Sequence, residues 1–213
     1  MAVLQRVCIY IFSVSDCRSI QQRLTYAVTD FCKRVDLPIP VPEALTTDRT
    51  EKGKPYFPNA PHLHLSISHS GQYWSCAICD ETIGLDLQEK ETPRNETVDE
   101  MLQRHQKMAN RFFHPLEAAF ISRNCAHNFL TVWTAREAYV KHTGQGIDRD
   151  FSEHCVIPEH PSHWELICGN TSGVSWSAMG KRFWKSCFGD CYVLCVCTES
   201  PCVCTIIPTP EMK

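Results

Sequence analysis

The sequence predicts an α+β chain with mainly antiparallel strands, and three observations carry that prediction. Apolar and polar residues alternate at 63–68 and 83–88, the period of a strand with one buried face. Apolar residues recur every three or four positions at 17–34 and 128–142, the period of an amphipathic helix. Short turns bearing Gly, Pro, Ser or Asp separate successive strand-like runs, which favours antiparallel pairing.

In chain order, residues 2–14 read as a first strand; Arg6 breaks the apolar run and no small-residue cleavage pattern follows, so a signal peptide is not expected. Residues 17–34 read as a helix with Ile20, Leu24, Ala27 and Phe31 on one stripe. Residues 35–61, rich in Pro, Thr and Lys, read as loop with a short extended piece. Leu63, Leu65 and Ile67 alternate with His64, Ser66 and Ser68 in a second strand that ends at His69-Ser70-Gly71. Residues 73–79 form the next strand, Asp80-Glu81-Thr82 turns, and 83–88 pairs back as a hairpin. Residues 90–100 are polar and carry Pro93, a linker between two halves. A helix follows at about 99–113, with Leu102, His105, Ala109, Phe112 and Phe113 on one side, and Pro115 opens a short helix. The helix at 128–142 ends before Gly144, and three strands complete the chain. The halves are predicted as 1–95 and 96–213.

Composition narrows the function. The 213 residues are 43% hydrophobic and 21% charged, the profile of a globular protein with a core. A net charge of −3 makes no global case for nucleic acid, so any phosphate binding must come from a local basic cluster. No stretch approaches the roughly 20 apolar residues of a membrane span. The 14 cysteines sit in a chain too long and too regular for a disulfide scaffold. Cys195-Val196-Cys197 and Cys202-Val203-Cys204 lack the wider spacing usual for zinc. They read as reduced thiols in the cytoplasm, small hydrophobes within strands.

Two segments place polar groups where a core would want apolar ones. In Ile83-Gly84-Leu85-Asp86-Leu87-Gln88, Asp86 and Gln88 share the face opposite the three apolar side chains, and both can reach a hard cation such as Mg²⁺. In the helix at 128–142, Glu137 and Lys141 lie one turn apart on the stripe of Leu130, Trp133 and Val140. A carboxylate and an ammonium on that face form either a buried pair or part of a site.

Gly53-Lys54-Pro55, Ser66-Ile67-Ser68-His69-Ser70-Gly71, Ile83–Gln88 and Trp133-Thr134-Ala135-Arg136-Glu137-Ala138-Tyr139-Val140-Lys141 occur in this order. With Arg111-Phe112-Phe113 and Glu117 before the last block, they resemble a 4′-phosphopantetheinyl transferase of the larger, surfactin-synthetase-activating type. The resemblance is strong over 53–145, weak over the N-terminal 50 residues and only general over the C-terminal 60.

The resemblance implies two similar halves about a pseudo-twofold axis, with the site in the cleft between them. It implies transfer of phosphopantetheine from coenzyme A to a serine of an apo acyl or peptidyl carrier protein, releasing 3′,5′-ADP. Mg²⁺, or Mn²⁺ in its place, is the implied cofactor. Asp86, Gln88 and Glu137 become the metal residues, although relatives usually carry Glu where Gln88 stands. Lys141 joins Glu137 in catalysis and also meets the coenzyme A phosphates. Lys54, Ser68 and His69 match phosphate-contacting positions. Arg49 and Arg23 are offered for the 3′-phosphate, and Arg136 stands where relatives often have Lys. Glu117 is either the general base or a carboxylate stabilising a helix N-terminus. The segment 101–113, with Met101, Met108, Phe112, Phe113, Arg104, Lys107 and Arg111, is the expected carrier-docking surface of a monomer. The alternatives are another Mg²⁺-dependent pyrophosphate-cleaving enzyme or a non-catalytic coenzyme A binder.

Overall fold

The computed structural model describes residues 5–90, 96–122, 126–146 and 151–210. Strand β1 (Gln5–Ser13) is followed by helix α1 (Ile20–Val35), a 3₁₀ turn at Pro42–Leu45, and two short strands, β2 (Asp48–Arg49) and β3 (Pro55–Tyr56). Strands β4 (His64–Ser70), β5 (Tyr73–Cys79) and β6 (Ile83–Glu89) come next. Helices α2 (Val98–Phe112), α3 (Pro115–Ile121) and α4 (Ala126–Thr143) follow. A short helix α5 (Trp164–Ile167) precedes β7 (Val174–Ala178), β8 (Lys181–Phe188), β9 (Tyr192–Thr198) and β10 (Cys202–Pro208). The α+β class, the helices and the early strands are as predicted.

The helix boundaries follow local chemistry. Ser19 and Gln22 form a reciprocal capping box on α1, and Thr97 and Glu100 do the same on α2. Gly144, at φ 67°, stops α4 in a left-handed turn. On α1, Leu24, Ala27, Val28 and Phe31 are buried, whereas Ile20 in the first turn is 59% exposed, so the predicted stripe is buried only from Leu24 on.

Two four-stranded sheets form, ordered β10-β1-β5-β4 and β6-β9-β8-β7. Their facing surfaces share one apolar cluster, with Val7, Ile9, Ile11 and Ala77 on one side and Leu85, Leu87, Leu194 and Val196 on the other. The opposite face of the first sheet packs Tyr10, Phe12, Cys76 and Ile78 on α1, and Cys195 and Cys197 of the second pack among residues of α2, α3 and α4. Strand β1 is therefore buried on both faces, which explains its near-continuous apolar run.

Three predictions are corrected. Strand β6 does not pair with β5, because both edges of β5 are already taken by β1 and β4; β6 pairs with β9 instead. The C-terminal region holds four strands rather than three, and β10 crosses back to lie parallel to β1. The sheets consequently do not divide at residue 95: β6 belongs to the second sheet and β10 to the first. Each sheet still repeats one pattern. A strand and a helical stretch lead to an antiparallel hairpin whose second strand pairs with the first: β1, α1, β4, β5 in one, and β6, α4, β8, β9 in the other. Among the described residues no helix is long and apolar enough to cross a membrane.

Candidate active site

The site begins where β6, an edge strand, meets β4, the edge of the other sheet. An edge strand leaves every second backbone N–H without a partner. On β6 those of Leu85, Leu87 and Glu89 donate to Ser66 Oγ (2.8 Å), Ser68 Oγ (3.1 Å) and Ser70 Oγ (2.9 Å). The Ser-x-Ser-x-Ser period thus stitches the two sheets in register. The resemblance gave Ser68 a role, but Ser66 and Ser70 were missed, and the period-two serines were the available signal.

On the other side of β6 lies α4. A Cβ on Gly84 would stand 1.9 Å from the Ala138 carbonyl oxygen, so only glycine lets α4 lie this close. That approach brings Lys141 to Asp86. Lys141 Nζ donates to Asp86 Oδ1 (2.7 Å) and to Ser68 Oγ (3.0 Å), and Ser68 donates to the same Oδ1 (2.8 Å). With the Leu87 N–H as well, the Ser68 hydroxyl is saturated. Lys141 therefore pairs across 55 residues with Asp86 rather than with Glu137 one turn away, because Asp86 is the buried, Ser68-oriented acceptor.

Asp86 is 2% exposed, and its second oxygen, Oδ2, is buried with no hydrogen-bond partner among the described residues. Burial pushes its carboxyl above the usual range against the pull of Lys141, Ser68 and Gln88. Burial and then the charge of Asp86 push half-buried Glu137 up as well, and among the described residues it has no hydrogen bond or ion pair. No group of three His, Cys, Asp or Glu side chains capable of holding a metal is found among the described residues. Two carboxylates, one with an orphaned oxygen, nonetheless suit Mg²⁺, which takes few protein ligands and completes its shell with water and phosphate. They do not suit zinc. Gln88 shares this face and accepts from Ser70 at 3.4 Å. The β6–β9 register runs unbroken through Gln88 and Glu89, and Glu89 accepts from the Tyr192 hydroxyl at 2.9 Å, so no bulge turns Glu89 toward Asp86.

Beside this cluster opens a cavity of ≈ 310 Å³ lined by Arg49, Lys52, Lys54, His69 and Lys141, with Ile67 and Val140 as apolar wall. The β2–β3 ribbon, turning at Gly53 (φ 87°), supplies the first three. Lys54 Nζ donates to the His142 carbonyl at the C-terminal end of α4 (2.6 Å), and burial lowers its pKa to about 8. Arg49 is exposed and donates to the Gly53 carbonyl (2.7 Å). Lys52 was not predicted, although it shares the Glu51-Lys52-Gly53-Lys54 turn. Arg23 does not reach this cavity: it is buried, donates to the Asp16 carbonyl (2.8 Å) and lies over the Phe12 and Trp74 rings. A larger cleft of ≈ 560 Å³ beside α2 is lined by Asp99, Leu102 and Phe129, and among the described residues that line it there is neither lysine nor arginine.

Residues 82–197, more than half of the chain, match the family described as the 4′-phosphopantetheinyl transferase superfamily. The chain belongs to this superfamily. It is 33% identical over 126 residues to a 4′-phosphopantetheinyl transferase of Bacillus subtilis, covering 57% of this chain and 51% of that protein. It is 31% identical over 101 residues to the transferase Sfp of Bacillus subtilis (strain 168), covering 46% and 40%, and 29% over 103 residues to gsp of Aneurinibacillus migulanus, covering 46% and 38%. The chain thus spans about half or less of the length of these curated relatives. The resemblance read from its motifs is borne out.

Other expected residues of this phosphopantetheinyl transferase superfamily member lie elsewhere. Glu117 is fully buried: it accepts from Arg136 through Nε (2.7 Å) and Nη2, from the Val156 N–H (2.9 Å) and from the His114 N–H (3.1 Å). With both oxygens occupied and His114 and Glu117 closing the capping box of α3, it is an anchor at a helix N-terminus; the general-base reading gives way. The predicted apolar face of α2 is also rotated. Met101 and Phe113 are buried, whereas Phe112 is 46% exposed with the Arg111 guanidinium over its ring. Lys107 is exposed, and Arg104 pairs with Glu96 at 2.8 Å.

Proposed function

We propose that this protein transfers the 4′-phosphopantetheine group of coenzyme A to a serine hydroxyl of an apo carrier protein and releases 3′,5′-ADP. The observation that carries this reading is that Lys141, paired with Asp86 and felt by Glu137, itself lines a cavity with four other basic side chains. Lys54, Lys52, Arg49 and His69 neutralise nucleotide phosphates, the 3′-phosphate falling to Lys54 and Arg49. Lys141 turns from Asp86 to the pyrophosphate, while Ser68 keeps Asp86 oriented. The serine oxygen attacks the β-phosphorus, the bond from that phosphorus to the bridging oxygen breaks, and 3′,5′-ADP leaves. Glu137, unpaired and with a raised pKa, takes the serine proton, the role expected of Glu117. Asp86 Oδ2 and Glu137, with Gln88 nearby, would hold Mg²⁺ or Mn²⁺, which supplies charge neutralisation at the pyrophosphate.

The repeated strand–helix–hairpin pattern supports two pseudo-twofold halves with the site in the cleft between them. The exposed part of α2, with Phe112, Arg111, Lys107 and Arg104, offers apolar contact and positive charge to an acidic carrier helix. Two halves building one site within a chain fit a monomer. The described cysteines are all free thiols, as in the reducing cytoplasm. Incubation with Mg²⁺, coenzyme A and an apo carrier, followed by weighing the carrier, tests the activity. A gain of one phosphopantetheine is expected. Coenzyme A cleavage without transfer, or binding without either, would replace this reading.

A further inference from the structure

The two Cys-x-Cys pairs of the sequence meet different fates. On the central strand β9, Cys195 and Cys197 are wholly buried among apolar side chains, and the Cys195 thiol donates to the Val196 carbonyl at 3.8 Å. On β10, Cys202 and Cys204 are only partly buried, point to the same side of the strand and bring their sulfurs to 3.6 Å. Strand β10 is a sheet edge, and among the described residues β1 is its one strand partner. The Thr198 hydroxyl lies 3.6 Å from Cys202 Sγ and donates to the Ser200 carbonyl at 2.9 Å, so it can swing to that sulfur when the thiolate forms.

We propose that Cys202 and Cys204 form a reactive dithiol, a modification site that exchanges with low-molecular-weight disulfides. Cys202 is the attacking sulfur. Sharing the Cys204 proton lowers its pKa to about 7 against burial and the neighbouring Glu81, while Cys204 is pushed up. The Cys202 thiolate attacks one sulfur of the small disulfide, that S–S bond breaks, and one small thiolate leaves. Cys204 then loses its proton to solvent or to the departing thiolate and attacks Cys202 Sγ. The Cys202–Cys204 bond forms and the second small thiol leaves. The protein is oxidised by two electrons and the small disulfide is reduced to two thiols. Residues two apart on a strand have Cα atoms roughly 6.4–6.8 Å apart. That is the upper end of the range a disulfide spans, so closure must pucker β10. An edge strand paired on one side permits this, whereas β9, paired on both sides, does not.

Incubating the folded protein with glutathione disulfide, alkylating the remaining thiols and mapping peptides by mass tests the proposal. The expected product is a 202–204 peptide lacking two hydrogens, restored by dithiothreitol. In Cys204→Ser the reaction should stop at glutathione on Cys202. The proposal is overturned if both thiols stay alkylatable while exposed Cys17 and Cys191 carry the glutathione. It is equally overturned if Cys204 is modified first, or if Cys202 of Cys204→Ser stays unmodified.

Discussion

Asp86 and Glu117 are both buried carboxylates, and each is paired with a basic residue of α4. They differ in what is left over. Both oxygens of Glu117 are occupied by Arg136 and backbone N–H groups, so nothing remains for a ligand. Asp86 keeps one buried oxygen without a partner, its Lys141 is partly exposed, and an unpaired Glu137 stands nearby. A closed ion pair anchors helices; an incomplete one, whose lysine lines a basic cavity, is under the proposed function the place for a cation and a phosphate. The number of unmet lone pairs, rather than burial or pairing, separates anchor from site.

The largest effect should fall on the anchor. Glu117→Gln leaves Arg136 buried without a counter-charge, and removing one partner of a buried pair costs about 3–5 kcal/mol of stability. Denaturant midpoints should drop accordingly, while the transfer rate per folded molecule stays within threefold. A variant as stable as the parent would break the comparison on that side.

Asp86→Asn and Glu137→Gln should do the opposite. Losing a principal charge stabiliser costs on the order of 3–4 kcal/mol in the transition state, roughly 10²–10³ in rate. Stability should hold, and its pH dependence gives a sign. Burial raises both pKa values, so ionisation opposes folding, and stability is greatest at low pH and falls as pH rises through the raised values. Asp86→Asn should flatten that fall in melts taken across the acid range. An unchanged slope would detach the orphaned oxygen from the energetics.

How much of this contrast was legible follows from sequence distance. The alternation in Ile83–Gln88 put Asp86 and Gln88 on one face, and the structure keeps them there, with Ile83, Leu85 and Leu87 in the core between the sheets. The helix carrying Glu137 and Lys141 was equally readable from its period. Partners were not. The four-residue spacing suggested a Lys141–Glu137 pair, but the buried acceptor came from a strand 55 residues away. From the sequence Glu117 reads as either a base or a helix N-terminal carboxylate; the partners that decide for the latter, Arg136 and Val156, lie 19 and 39 residues on. The local turn at Asp80–Thr82 signalled a hairpin, and nothing nearby revealed that β1 and β4 already hold both edges of β5.

A smaller effect should come from Lys54. Its pKa of about 8 means that the ammonium is lost as pH rises through that value. A charge-assisted bond to phosphate is worth about 1.5–3 kcal/mol. Coenzyme A binding should therefore weaken above pH 8 and take up protons near it, seen as buffer-dependent heats in calorimetry. Lys54→Met should lose both features, and 3′-dephospho-coenzyme A should show neither. Persistence of the proton uptake in Lys54→Met would assign it to another group.

The smallest effect belongs to Gln88. Gln88→Glu adds a charge on the Asp86 face, and repulsion from Asp86 and Glu137 takes back most of the attraction. The Mg²⁺ requirement should fall by at most about tenfold, roughly 1.4 kcal/mol. Indifference in rate against Mg²⁺ concentration would place Gln88 outside the metal's reach.

Calorimetric titration of Mg²⁺ with coenzyme A present, into the parent protein, Asp86→Asn and Glu117→Gln below its melting range, tests the central claim most directly. The parent and Glu117→Gln should bind the metal alike, and Asp86→Asn should lose binding by at least tenfold. Parent-like binding by Asp86→Asn, or loss confined to folded Glu117→Gln, would contradict the assignment of the incomplete pair as the site.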